Sequence, residues 1–155
     1  MSDRSVVHAT FVIERTYDAS PAHVFGAWAD PVAKASWFGP KNLPAGQRES
    51  DFSVGGRERF TVNTPDGAAY VFDSRYADIV PDRRIVHTYD MYRDDTRISV
   101  SLATIELEPA GAATKLIFTE QGAFLDGADT PAEREHGTGE LLDSLGEWLQ
   151  KGQAR

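Results

Sequence analysis

Hydrophobic and polar residues alternate along most of this chain, and where the period changes, so does the predicted element. Over residues 7–18 the period is two, with Phe11, Ile13 and Tyr17 on one parity and Thr10, Glu14 and Thr16 on the other. This predicts a strand with one face on a core. Arg15 shares the apolar parity, and since an unpaired charge in a core is costly it is placed at the rim. Two short helices are predicted next, opened by Ser20-Pro21 and Asp30-Pro31, each a capping side chain ahead of a proline at the first helical position. The first carries Val24, Phe25 and Trp28; the second runs to Trp37-Phe38 and stops at Gly39-Pro40. Residues 41–56 are rich in Gly, Pro and polar side chains, with room for one short strand near 47–51.

After Gly55-Gly56 the period of two returns over residues 57–64, 69–79, 84–92, 98–107 and 114–121. Turn signals separate these stretches at Pro65-Asp66-Gly67, Pro81-Asp82, Arg93-Asp94-Asp95 and Pro109-Ala110-Gly111. Short strands with no helical period between them predict an antiparallel meander. In 98–107, Val100 and Leu102 lie on one parity and Ile105 and Leu107 on the other, so a bulge is expected to bring both pairs to one face.

From Thr130 onward the period is that of a helix. Thr130 is the candidate N-cap, with Pro131 at the first helical position, Glu133 at the capping-box spacing, and Lys151-Gly152 at the far end. Leu141, Leu142, Leu145, Trp148 and Leu149 form one apolar stripe, but its N-terminal extension meets Thr138, Gly137 and Arg134. The second half is therefore expected to plug a core and the first half to lie over a space that it does not fill. Together these elements predict a single α+β domain over residues 1–155. It has an antiparallel sheet of six or seven strands, two short helices after the first strand, and a long C-terminal helix on one face.

Composition narrows the chemistry. A 41% hydrophobic fraction supports a sizeable core, while a net charge of −8 argues against nucleic acid or an anionic membrane as partner. Cysteine is absent, which removes disulfides, thiolate nucleophiles and Cys-based metal sites. No apolar stretch approaches the ~20 residues of a membrane span, and a cytoplasmic protein without cofactor is expected. The motifs of Ser hydrolases, zinc peptidases, P-loop enzymes and dinucleotide binders are all missing. Gly55-Gly56 precedes a strand rather than a helix, which suits a tight turn better than a phosphate cradle. His8, His23, His87 and His136 are scattered and unpaired at any ligand spacing, so no metal is expected; His8 and His23 are read as solvated.

Two polar residues stand on apolar parities. His87 shares that of Ile85, Tyr89 and Met91, and Glu120 that of Leu116 and Phe118. Facing one pocket, they would form an acid–base pair; the alternative is a hydrogen-bonded histidine lining a cavity and a glutamate in solvent at a strand end. The aromatics Phe60, Tyr70, Phe72, Tyr76, Tyr89, Phe118 and Phe124 are assigned to the core by the same parity.

Several of these stretches, in order, resemble a known family. Glu14-Arg15-Thr16-Tyr17-Asp18-Ala19, then Val24-Phe25 with Trp28, then Trp37-Phe38-Gly39-Pro40 are similar to the opening of bacterial proteins related to the C-terminal domain of the activator of Hsp90 ATPase. The likeness continues through Val54-Gly55-Gly56-Arg57, Phe60, Ile79-Val80-Pro81, Arg84-Ile85-Val86 and Thr88-Tyr89. It ends with Gln121-Gly122-Ala123-Phe124, Gly137 and Leu142-Asp143-Ser144-Leu145, and so spans roughly Phe11 to Leu149. The resemblance implies the START-like (SRPBCC) helix-grip fold, a curved sheet around the terminal helix with a cavity between them. That cavity is expected to be lined by Trp37, Phe38, Phe60, Tyr70, Phe72, His87, Tyr89, Phe118, Phe124, Arg134 and Thr138, and entered between residues 37–40 and the glycine-bearing half of the helix. Where relatives often carry Gly-Trp, this chain has Gly137-Thr138, implying a roomier or more polar pocket. The leading functional expectation is a binder of a small apolar or aromatic ligand. The resemblance also implies a chaperone partner, or a cyclase- or hydrolase-type enzyme using His87 and Glu120.

Overall fold

Ser20 and Asp30 set the start of the chain's architecture, because Ser20 caps a helix after the first extended segment and Asp30 both closes that helix and caps the next. The Ser20 hydroxyl accepts from the His23 amide and the Asp30 carboxylate from that of Val32, satisfying amides that a helix start leaves unpaired. In the computed structural model, which describes residues 4–39 and 47–153, these caps open α1 (Pro21–Ala29) and α2 (Pro31–Trp37) directly after β1 (Val6–Tyr17). Six strands follow: β2 (Arg48–Ser50), β3 (Arg57–Asn63), β4 (Ala69–Val80), β5 (Arg84–Arg93), β6 (Thr96–Ala110) and β7 (Ala113–Leu125). The chain closes with α3 (Pro131–Gln153), and Thr130 accepts from the Glu133 amide as the capping spacing requires. The α2 helix ends with the Phe38 amide on the Lys34 carbonyl; Pro40, expected to stop it, lies outside the described residues.

All seven strands form one antiparallel sheet in the order β1-β7-β6-β5-β4-β3-β2. The first strand thus pairs with the last, and α3 covers the inner face. Leu142, Leu145 and Leu149 of α3 are buried against Phe11, Ile13 and Tyr17 of β1, Ile105 and Leu107 of β6, and Leu116 and Phe118 of β7. Tyr17 adds a hydrogen bond to the Leu142 carbonyl at 2.7 Å. Arg15, half-buried at the rim, donates to Asp143 of α3 at 2.9 Å.

Two expectations need correcting. The β6 bulge lies opposite Met91 and Tyr92, one step before Val100. It buries both Ile98 and Ser99, after which Ser101, Ala103, Ile105 and Leu107 face inward while Val100 and Leu102 stay exposed on the outer face. The first two inward positions beyond the bulge, Ser101 and Ala103, are thus small, and the branched apolar ones begin only at Ile105. His23, read as solvated, is half-buried. Because α1 packs beside the end of α3, His23 lies against Trp148 with ring centres 6.0 Å apart.

Gly55-Gly56 is a tight turn whose amides are already spent, on the Tyr76 and Ser53 carbonyls. A Cβ on Gly56 would lie 2.1 Å from the Asp51 carbonyl oxygen, which explains the residue without any ligand.

Candidate functional site

The inward stripe of α3 changes character along its length. Leu142, Leu145 and Leu149 carry it through the second half, with Leu141 and Trp148 half-buried at its flanks. In the first half the buried positions are Arg134 and Thr138, and a Cβ added to Gly137 would meet nothing within 4 Å. Beneath this half lie the small inward residues of β6 and β7, namely Ser99, Ser101, Ala103 and Gly122, bordered by Tyr89, Phe118 and Phe124.

Arg134 ties the two layers together. Its Nη1 donates to the Tyr89 hydroxyl at 2.8 Å and, at 3.4 Å, to Glu120 Oε2; its Nη2 donates to Ser99 Oγ at 2.8 Å and Asp129 Oδ2 at 2.7 Å. The Tyr89 hydroxyl in turn donates to Glu120 Oε2 at 2.7 Å. The guanidinium also stands over the Phe124 ring, 5.2 Å from its centre. Burial pushes the Glu120 carboxyl up, and Arg134, Tyr89 and Ser101 pull it back only partly. Burial by itself would lower Arg134, but Tyr89, Glu120 and Asp129 together hold it above its ordinary value. The Tyr89 hydroxyl is raised, chiefly by burial and next by the Glu120 charge.

A second buried network lies under α2. Lys34 Nζ meets Glu58 Oε1 at 2.5 Å, and the Tyr76 hydroxyl donates to the same oxygen at 2.9 Å. The ammonium sits 4.4 Å from the centre of the Phe38 ring and 5.4 Å from that of Trp28, a cation held by ring faces and one carboxylate. Burial lowers the Lys34 pKa, and Glu58 counters that only in part.

His87 stands between the two networks. Its Nδ1 is 3.0 Å from Ser74 Oγ, and its ring stacks on Tyr89 with centres 5.8 Å apart. Burial, reinforced by the Lys34 charge, pushes His87 down to about 3, so the imidazole is neutral at pH 7. The unfolded chain takes up this proton near pH 6.5 and the folded chain only near pH 3. Between those values the unfolded state binds more protons, so stability falls as the pH drops. His87 is expected to remove about 2 kcal/mol between pH 7 and pH 5. Urea unfolding at the two pH values should show that loss in the wild type and not in His87→Gln, which can still bond Ser74.

The structure assembles some of the sequence candidates and separates others. Trp37, Phe60, Phe72, His87, Tyr89, Phe118, Phe124, Arg134 and Thr138 are all buried on the inner side, and Phe38 packs half-buried against Phe60 and Phe72. Tyr70 is not with them. It sits at the start of β4 with its hydroxyl taken by Arg93, itself paired with Asp66. His87 and Glu120 both face inward, yet Ala103 stands between them in register, which puts them two strand spacings apart, about 9–10 Å. Among the described residues no hydrogen bond joins them; Tyr89 touches both. Glu120 is also not a strand-end residue in solvent, being 1% exposed.

Sequence reasoning passed over Lys34, Glu58, Ser74, Ser99, Ser101 and Asp129. Glu58 could have been found, since it shares the inward parity of Phe60 and Val62 in β3, and Lys34 stands one turn from Trp37 and Phe38 in α2. Opposite charges on two apolar faces are a signal of a buried pair. Among the described residues no three His, Cys, Asp or Glu side chains are grouped to hold a metal ion, and no helix is long and apolar enough to cross a membrane. An open depression of about 430 Å³ lies along the β1–β7 ladder, lined by His8, Ala9, Thr10, Gln121 and Gly122. It holds a single titratable side chain and touches neither buried network.

Residues 18–150 match the family model described as Activator of Hsp90 ATPase homolog 1-like protein. An uncharacterized protein from Rhizobium leguminosarum superposes with a TM-score of 0.93 at 43% identity, over 97% of this chain and 99% of that one. Mll3558 from Rhizobium loti gives a TM-score of 0.86 at 43% identity, over 93% and 99%. CV1439 from Chromobacterium violaceum gives 0.77 at 27% identity, over 90% and 96%. No curated protein matches the chain.

Proposed function

Because this chain belongs to the Activator of Hsp90 ATPase homolog 1-like family, whose helix-grip domains commonly bind small hydrophobic ligands, we propose that it does so too. The ligand is a small apolar or aromatic molecule, held between the inner face of β5–β7 and the N-terminal half of α3. One observation carries the reading: the first half of α3 buries Arg134 and Thr138 against a sheet face rich in aromatic rings, where a helix serving only as a plug would bury leucines. Tyr89, Phe118 and Phe124 supply apolar surface, while Arg134, Thr138 and His87 supply the few polar groups that orient a guest in such sites. Burying about 200 Å² of ligand at roughly 25 cal/mol per Å² yields about 5 kcal/mol, which corresponds to dissociation constants of about 1 mM or somewhat tighter.

Aromatic compounds at a hundredfold excess over such a constant should stabilise the fold by about 2.7 kcal/mol and raise its melting midpoint by roughly 5–10 °C. A thermal-shift screen reads this directly. No shift with any apolar or aromatic compound, together with only the bare mass in native mass spectrometry, would remove the proposal.

The family description favours a second reading, contact with an Hsp90-type ATPase. Recovery of such a chaperone on the immobilised protein would support it, and failure to retain purified Hsp90 would dismiss it. A His87–Glu120 enzyme has no comparable support, since His87 bonds Ser74 while Glu120 bonds Tyr89 and Arg134.

A further inference from the structure

Glu120 and Ser101 leave one polar atom each unspent in the interior. Glu120 is 1% exposed and Ser101 3%, yet Glu120 Oε1 and Ser101 Oγ have no hydrogen-bond partner in the structure. They are diagonal neighbours on the β6–β7 ladder, because Glu120 pairs with Ala103 and Ser101 with Gly122. Ser101 is close enough to help hold the carboxyl down, although it makes no hydrogen bond of ordinary geometry. A buried donor or acceptor left unpaired costs on the order of 1–3 kcal/mol, so one group that bonds both would be stabilising there.

The surroundings indicate where that group would come from. The other carboxyl oxygen, Oε2, is already held by Tyr89 and Arg134, which fixes the carboxyl and leaves Oε1 for something else. Of the inward neighbours, Ala103 is small, while the face of Gly122 is covered by the Phe124 ring, whose Cε1 lies 2.9 Å from where a Cβ would stand; the open side is thus that of Ala103 and Tyr89. Arg134, one turn from Thr138 on the inward stripe of α3, places the thinly furnished half of the helix over this part of the sheet.

We propose that the ligand carries a hydroxyl, an alcohol or a phenol on an apolar body, and that this hydroxyl bridges Glu120 Oε1 and Ser101 Oγ. The inference rests on the ligand-binding reading above and adds the chemical class of the guest. A hydroxyl donates to Oε1 and accepts from the Ser101 O–H; an ether or ketone can only accept, and an ammonium can only donate. The match holds in either charge state of the carboxyl, since a hydroxyl donates to the carboxylate and accepts from the acid. A ligand carboxylate or phosphate would instead meet Glu120 with like charge.

Isothermal titration with 2-naphthol, 2-methoxynaphthalene and naphthalene separates the possibilities. The wild type is expected to bind 2-naphthol at least about tenfold more tightly than either of the other two, the factor that one net hydrogen bond near 1.4 kcal/mol supplies. In Ser101→Ala, which keeps the Arg134–Tyr89–Glu120 contacts, that preference should fall below about threefold while naphthalene binding is unchanged. Glu120→Gln should lower it as well, and Ser101→Ala keeps the test open if that variant does not fold. Equal binding of all three compounds, or a preference that survives in Ser101→Ala, overturns the hydroxyl inference and leaves the apolar binder standing. Binding of none of them up to their solubility limits removes both.

Discussion

Replacing Lys34 with alanine is expected to lower the melting midpoint by roughly 6–20 °C. The ammonium is buried 2.5 Å from Glu58, whose carboxylate is in turn bonded by Tyr76. Removing one member of a buried ion pair strands the other charge in a medium that solvates it poorly, at a cost of about 3–5 kcal/mol. A domain of about this size loses roughly 2–4 °C per kcal/mol. The pair itself is not expected to contribute much net stability, because desolvating two charges offsets most of their attraction. The double variant Lys34→Met with Glu58→Gln should therefore recover most of the loss: methionine fills the ring-lined site, and glutamine still accepts from Tyr76. If Lys34→Ala cost less than about 1 kcal/mol, the pair would have to be solvated, and the burial described for it would be wrong.

Arg134→Leu should have a comparable cost, about 3–5 kcal/mol, for a different reason. The guanidinium satisfies Tyr89, Ser99, Glu120 and Asp129 from one position, and leucine leaves four partners facing an apolar side chain. Arg134→Lys should be intermediate, since an ammonium cannot reproduce a planar fork reaching two sides. The loss should also depend on pH. Glu120 already has a raised pKa from burial, and without Arg134 it is raised further. The folded variant then holds a proton that the unfolded chain releases above its ordinary carboxyl pKa, so its stability is greatest at low pH and declines as pH rises. Urea titrations should show a smaller gap between variant and wild type at pH 5 than at pH 8. A gap that is equal at both would mean that Glu120 does not depend on Arg134.

These two residues also mark how far the sequence could be read. The order of elements was legible because its signals are local: Ser20-Pro21, Asp30-Pro31 and Thr130-Pro131 start helices through their own side chains, and alternation in the strands follows from which face is buried. Inward placement of His87 and Glu120 was legible for the same reason. What they touch was not, because partners are chosen by register between strands far apart in sequence, and one alanine, Ala103, decides that they are not neighbours. The β6 bulge was expected on apolar parity alone; it falls earlier, and Ser101 and Ala103 take the inward places where Val100 and Leu102 were anticipated. The change in α3 at Thr138 was visible as a break in periodicity. Arg134 belonged to that break, but its hold on Tyr89, Ser99 and Glu120 depends on three other elements of the chain, β5, β6 and β7.

An aromatic guest is expected between the inner face of β5–β7 and the first half of α3. A crystal structure of the protein grown with saturating 2-naphthol tests it most directly. The ring should lie against Tyr89 and Phe118, roofed by Thr138, with its hydroxyl between Glu120 and Ser101. A ring found instead in the open depression beside His8, Thr10 and Gln121, or an interior closed by protein side chains with no guest in it, would contradict this placement.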